Sequence, residues 1–93
     1  MIIEQSRRFE EELEVIVDFI AKDSPSRAFS FFEELLSKIK DIPLNPYIYR
    51  KRESLDDDMF RELIFKGYTI PFYIDAKNDK IVILGIFNQN LWS

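Results

Sequence analysis

The sequence predicts an α+β fold in a single domain over residues 1–93: an N-terminal strand, an α-helical hairpin, then a three-stranded antiparallel meander. Two observations lead there. Apolar residues recur at helical spacing from Phe9 to Ile42, and after a proline-marked stretch they return from Phe60 as short runs with strand character. Helices grouped on one face of a small sheet bury both apolar surfaces at once.

The opening "MIIEQS" reads as a short strand. From Arg7 the period changes: Phe9, Leu13, Ile16, Val17 and Ile20 form one stripe, with Glu10, Glu11, Glu12, Glu14 and Asp18 expected to face outward. Ser6 suits the N-cap, and the early glutamates suit the positive end of the helix dipole. "KDSPSR" breaks this helix, and Ser24 followed by Pro25 starts a second one. Its expected stripe is Ala28, Phe32, Leu35, Ile39 and Ile42, with Phe29 and Leu36 beside it, and it must stop before Pro43. So short a break makes the pair an antiparallel hairpin.

"PLNPYIYRKRESLDDDM" has no sustained period and reads as a long loop. Three strands are then expected at about 60–66, 68–74 and 80–87, the first pair joined tightly at Lys66-Gly67 and the second by the turn-rich "DAKND". Pro71 removes one ladder donor from the middle strand, so a bulge or locally unpaired stretch is expected beside it.

Composition bounds the chemistry. Hydrophobic residues make up 46% and aromatics 15%, enough for a core without staples. Without cysteine, neither a disulfide framework nor a thiolate metal site is available. Without histidine, the side chain best suited to proton transfer near neutral pH is missing, as is the commonest metal ligand. No cofactor or metal is expected. The net charge of -4 disfavours bulk nucleic-acid binding, and no direct sequence-specific contact with nucleic acid is expected of this chain. Acids outnumber bases ten to six over residues 1–42, whereas residues 43–93 carry seven of each. No run approaches a membrane span, and Met1-Ile2-Ile3 opens a strand rather than a signal peptide, so the cytoplasm is the expected compartment.

The order of elements and two stretches together resemble the RelE/ParE superfamily of toxins from bacterial toxin–antitoxin pairs. "FRELIFKGYTIPFYI" is similar to that family's arginine and leucine leading into a strand, a small residue, then Tyr-x-Ile-x-x-Tyr, here Arg61, Leu63, Gly67, Tyr68, Ile70 and Tyr73. "SPSRAFSFFEELLSKIKDIPLNP" resembles the second helix of the ParE branch, the plasmid-stabilisation type, and its proline-marked exit. The resemblance implies one of two activities. ParE-like members inhibit growth by binding DNA gyrase, and RelE-like members cut messenger RNA on the ribosome without a metal. Both are neutralised by a cognate antitoxin.

RNA cleavage without a metal needs charge stabilisation at the phosphate and an acid–base pair. Cleaving members of the superfamily carry an arginine after the first strand tyrosine and a basic residue or histidine at the end of the last strand. Here Thr69 follows Tyr68, and the last strand runs into Asn88-Gln89-Asn90. Amides do not exchange protons usefully near pH 7. The expectation is therefore a ParE-like toxin acting by binding. The candidate contact residues for target or antitoxin are Arg50, Lys51, Arg52, Arg61, Asn88, Gln89, Asn90 and Trp92. The alternatives are a RelE-like ribosome-dependent endoribonuclease using Arg61, Tyr68 and Tyr73, or a non-toxic interaction module. Arg61 also has a plain reading as a loop anchor, Tyr68 and Tyr73 as sheet packing, and Trp92 as a core plug.

Overall fold

A computed structural model describes residues 1–52 and 57–88. Strand β1 (Ile2–Gln5) leads into helices α1 (Arg7–Asp23) and α2 (Pro25–Asp41), followed by β2 (Arg50–Lys51), β3 (Phe60–Phe65), β4 (Tyr68–Asp75), β5 (Lys80–Ile83) and β6 (Phe87–Asn88). The sheet order is β1-β5-β4-β3-β2, with β6 also pairing to β4. The expected meander is present as β3, β4 and β5 in antiparallel register. β1 closes the far edge parallel to β5, a pairing that the helical hairpin makes possible by carrying the chain across one face.

Both helices start where the sequence places their caps. The Ser6 hydroxyl oxygen accepts the Phe9 N–H at 3.1 Å and itself donates to the Leu84 carbonyl at 3.0 Å, so one side chain caps α1 and ties it to the sheet. Ser24 ends α1 by donating its N–H to the Ile20 carbonyl, and starts α2 by accepting the Arg27 N–H at 3.3 Å. Pro25 occupies the first helical turn, where its missing N–H costs nothing.

The core lies between the hairpin and one face of the sheet: Phe9 and Leu13 from α1, Phe31, Leu35 and Ile39 from α2, and Leu63, Phe65, Ile70, Phe72, Ile74, Ile81 and Ile83 from the strands. On α2 the sequence reading is corrected. Phe31 is buried, Phe32 is partly buried, and Phe29 is 66% exposed. Ala28, Leu35, Ile39 and Ile42 are buried as the spacing placed them, and only the aromatic position differs, because the ring of Phe31 packs on Phe65 and Tyr68 at 5.4 and 5.6 Å. A second correction concerns residues 43–52, read as loop. They form two 3-10 turns (Ile42–Leu44 and Pro46–Ile48) and then β2, which pairs antiparallel with β3.

The third difference lies in the last expected strand, which breaks after Ile83 and resumes at Phe87. Phe72 pairs with Ile83, whereas Thr69 pairs with Phe87, so one extra residue is inserted opposite β4. This is a bulge facing Pro71. The Pro71 carbonyl accepts the Leu84 N–H at 2.9 Å, and the edge where a proline N–H is missing is the edge where the ladder slips. The amide orphaned there belongs to Ile86, and the Glu12 carboxylate accepts it at 3.0 Å. Glu12 therefore does not face outward as its sequence position suggested. Gly85 allows the approach, since a Cβ at that position would lie 2.6 Å from Glu12 Oε1. At the opposite end of β4, Lys66 and Gly67 both have positive φ (49° and 83°), the two-residue hairpin geometry that matches strand twist.

Candidate functional site

Strand alternation decides which candidate residues share a surface. Leu63, Phe65, Ile70 and Phe72 face the helices, so Arg61, paired with Phe72, lies on that side, whereas Glu62, paired with Pro71, lies on the open face. Arg61 is 8% exposed. Its Nε donates to the Asp58 carbonyl at 2.8 Å, and its Nη1 donates to the carbonyls of Tyr47 and Tyr49 at 2.9 and 3.0 Å. Its guanidinium also stacks 5.5 Å from the Tyr47 ring centre. These contacts hold the 3-10 segment against the start of β3. Charged donors make the stronger hydrogen bonds, so Arg61 is the pin of this loop.

On the open face, Arg50 and Arg52 converge on one carboxylate. Arg50 Nε donates to Glu62 Oε1 at 2.7 Å and Arg52 Nη1 to Glu62 Oε2 at 3.2 Å. Arg52 also lies over the Phe87 ring at 5.8 Å. Lys51, on the alternate face, bridges to Asp58 at 3.0 Å. The Lys51 hydrogen bond and charge hold the Asp58 carboxyl below the usual range. Arg50, Lys51 and Arg52 are thus neighbours in the chain and lie beside the strand that carries Arg61, but each of the four is bound to an internal acceptor and they do not form one free cationic edge.

The two tyrosines are likewise separated. Tyr68 and Tyr73 are an odd number of residues apart on β4 and point to opposite faces. Tyr68 packs edge-on against Phe31 on the helix side, and Tyr73 packs on Phe60 at 4.8 Å on the open side. Arg61, opposite Phe72, is four strand positions from Tyr68, about 13 Å along the sheet. Arg61, Tyr68 and Tyr73 are therefore not brought to one point. Among the described residues no group of three or more His, Cys, Asp or Glu is placed to hold a metal ion. No helix among them is long and apolar enough to cross a membrane.

Asn88 lies in β6 opposite Tyr68, and Gln89, Asn90 and Trp92 fall outside the described residues. Beside Asn88 runs an apolar groove of about 490 Å³ between α1 and the β4–β6 edge, walled by Val15, Ile16, Phe19, Tyr68, Ile86 and Phe87, with Glu12 at one side.

The model of the ParE toxin of type II toxin–antitoxin systems (parDE) matches residues 3–90 of this chain. The chain belongs to the ParE toxin family. Among solved structures, a chain of the "Chromosomal ParDE TA system from P. aeruginosa" is similar with a TM-score of 0.75 and 19% identity, over 95% of each chain. At that identity the likeness is one of fold, and it matches the strand, helical hairpin and meander described above. No curated protein matches the sequence.

For this ParE-family chain, sequence reasoning missed three features: the groove, the Glu62 clamp and the Glu12 cap. Val15 and Phe19 carried a signal, because both are large apolar residues lying off the helix stripe. Glu62 and Glu12 carried none, since a carboxylate in a charged stretch looks the same whether it is solvated or holds a buried partner.

Proposed function

We propose that this ParE-family toxin inhibits growth by binding DNA gyrase, and that a cognate antitoxin neutralises it. The observation that supports binding over RNA cleavage is the Glu62 clamp. The arginines of the open sheet face both share a single carboxylate, and the remaining tyrosine there, Tyr73, is packed on Phe60. A phosphate in that place would have to compete with an internal anion for both cations, which weakens the stabilisation that cleavage needs. A protein target asks less: Arg50 and Lys51 remain more than half exposed and can make rim contacts while staying paired.

The antitoxin reading draws on the ParDE relative together with an available edge. β1 is the outermost strand of the sheet and Ile2 is largely exposed, which suits addition of an extended segment from a partner. The cytoplasm is the compartment this reading takes, because the target acts on DNA there.

The deciding experiment is pulse labelling in bacteria expressing the chain without a partner. DNA synthesis should fall before protein synthesis, and purified protein should inhibit supercoiling by gyrase. Protein synthesis falling first, with cuts in translated messages, would replace this reading with the ribosome-dependent nuclease. No effect on either would leave a non-toxic interaction module.

A further inference from the structure

We infer that Leu44, Tyr47 and Ile48, rimmed by Lys38, Lys40, Arg50 and Lys51, form the surface that meets the toxin's target, and that the matching surface of the target is acidic around an apolar centre. This deepens the reading of the chain as a toxin that binds a protein, and rests on it.

Leu44, Tyr47 and Ile48 fall within five residues and are 83%, 48% and 72% exposed, and none of them belongs to the core. Large apolar side chains gathered on the outside of a small domain mark a place where something docks. The segment that carries them is firmly anchored. Ile42 at its start is fully buried, and the Tyr49 ring at its end packs edge-on against Phe72 at 5.4 Å. Pro43 and Pro46 fix φ in the two 3-10 turns between these anchors. Arg61 donates to the Tyr47 and Tyr49 carbonyls and holds the Tyr47 ring 5.5 Å from its guanidinium. The fold thus commits a buried cation to a segment whose own apolar side chains point to solvent. A surface fixed before binding loses less entropy when it is bound, so this anchoring favours association.

Charge identifies the kind of occupant. Residues 38–52 hold five bases, Lys38, Lys40, Arg50, Lys51 and Arg52, against one acid, Asp41. The rest of the chain holds eight bases and sixteen acids. Part of the local excess is used internally, since Arg50 and Arg52 share Glu62 and Lys51 bridges to Asp58. Two arginines on one carboxylate still leave one positive charge over. Lys38 and Lys40 are exposed and have no ion pair among the described residues. A basic rim around an apolar patch, on an otherwise acidic protein, fits a partner whose own rim is acidic and disfavours a basic one. Nucleic acid fits less well, because the acids elsewhere on the chain repel a phosphate backbone.

The test pairs growth inhibition in bacteria expressing the full chain with binding of the purified chain to purified gyrase. Leu44→Ser/Ile48→Ser removes the apolar centre, and Lys38→Glu/Lys40→Glu reverses the rim. Phe29→Ser, which changes a ring 66% exposed on α2, is the control. All these positions are exposed, so far-UV circular dichroism and Tm should match wild type. The two patch variants should lose growth inhibition and bind gyrase about tenfold more weakly or worse. The charge variant should also show a shallower salt dependence than wild type, and Phe29→Ser should behave as wild type. Folded patch variants that inhibit growth as wild type does would overturn the inference, as would binding that charge reversal strengthens. So would retention of wild type on duplex DNA or RNA at physiological salt that charge reversal abolishes, because the rim would then be a phosphate contact. Wild type that inhibits growth without binding gyrase removes gyrase as the target, and the surface then stands or falls on growth inhibition by the variants. Wild type that inhibits no growth overturns both.

Discussion

Replacing Gly85 with alanine should loosen the attachment of α1 to the sheet. The new Cβ would lie 2.6 Å from Glu12 Oε1, closer than such atoms approach, so the carboxylate must withdraw. The movement itself costs little, because it happens at the end of a flexible side chain. Its consequence is that the Ile86 N–H, now bonded to Glu12 at 3.0 Å, loses its acceptor, although Ile86 is 2% exposed. A buried donor left unsatisfied costs about 1–3 kcal/mol. The Glu12 side chain is still 30% exposed, so water has partial access and the lower half of that range, about 1–2 kcal/mol, applies. In a domain of this size that corresponds to a Tm lower by roughly 4–16 °C. Urea unfolding followed by far-UV circular dichroism measures it, and a cycle with Glu12→Ala isolates the cause. Once Glu12 is truncated, the amide is already orphaned and the alanine methyl meets Arg8 Nε at an ordinary contact distance of 3.9 Å. Gly85→Ala should then cost less than about 0.5 kcal/mol in that background. Two equal and additive penalties would refute the mechanism and place the cost of the methyl elsewhere.

Arg61→Lys should lower stability by about 2–4 kcal/mol in urea unfolding despite preserving the charge, because an ammonium cannot span three carbonyls held by a planar fork. An unchanged midpoint would remove Arg61 from its role as the loop pin. Glu62→Ala should cost about 1–3 kcal/mol, less than a fully buried triad because Arg50 is 58% exposed, and thermal unfolding unchanged by the substitution would show that the clamp does not hold β2. Burial pushes the Tyr49 hydroxyl above its ordinary pKa of 10.0, with the Asp41 charge adding to the effect. Its neutral form is therefore favoured by folding. The resulting stability is complete below about pH 10 and is lost as pH rises toward and through the folded value. Wild type should lose stability more steeply than Tyr49→Phe as pH rises above about 10, and parallel pH profiles would contradict this.

Helix starts at Ser6 and Pro25, the tight turn at Lys66-Gly67 and the bulge beside Pro71 were legible in the sequence. Each depends on a residue whose covalent structure restricts its own backbone or caps the next turn. The α+β class was legible for a similar reason, since the change from helical to strand periodicity is local. Which phenylalanine of "FSFF" enters the core was not, because adjacent positions on a helix differ by only 100° and the choice is made by the facing rings of Phe65 and Tyr68. The parallel pairing of β1 with β5 was also closed to the sequence, since it joins residues at opposite ends of the chain. The candidate site divided along the same line. Residue type alone argued that amides after the last strand are poor proton donors. Whether Arg50, Arg52 and Arg61 are free to act depended on where Glu62 and the loop carbonyls stand in space. A cation is defined by its sequence, but its availability is set by the partner that the fold brings within hydrogen-bonding distance.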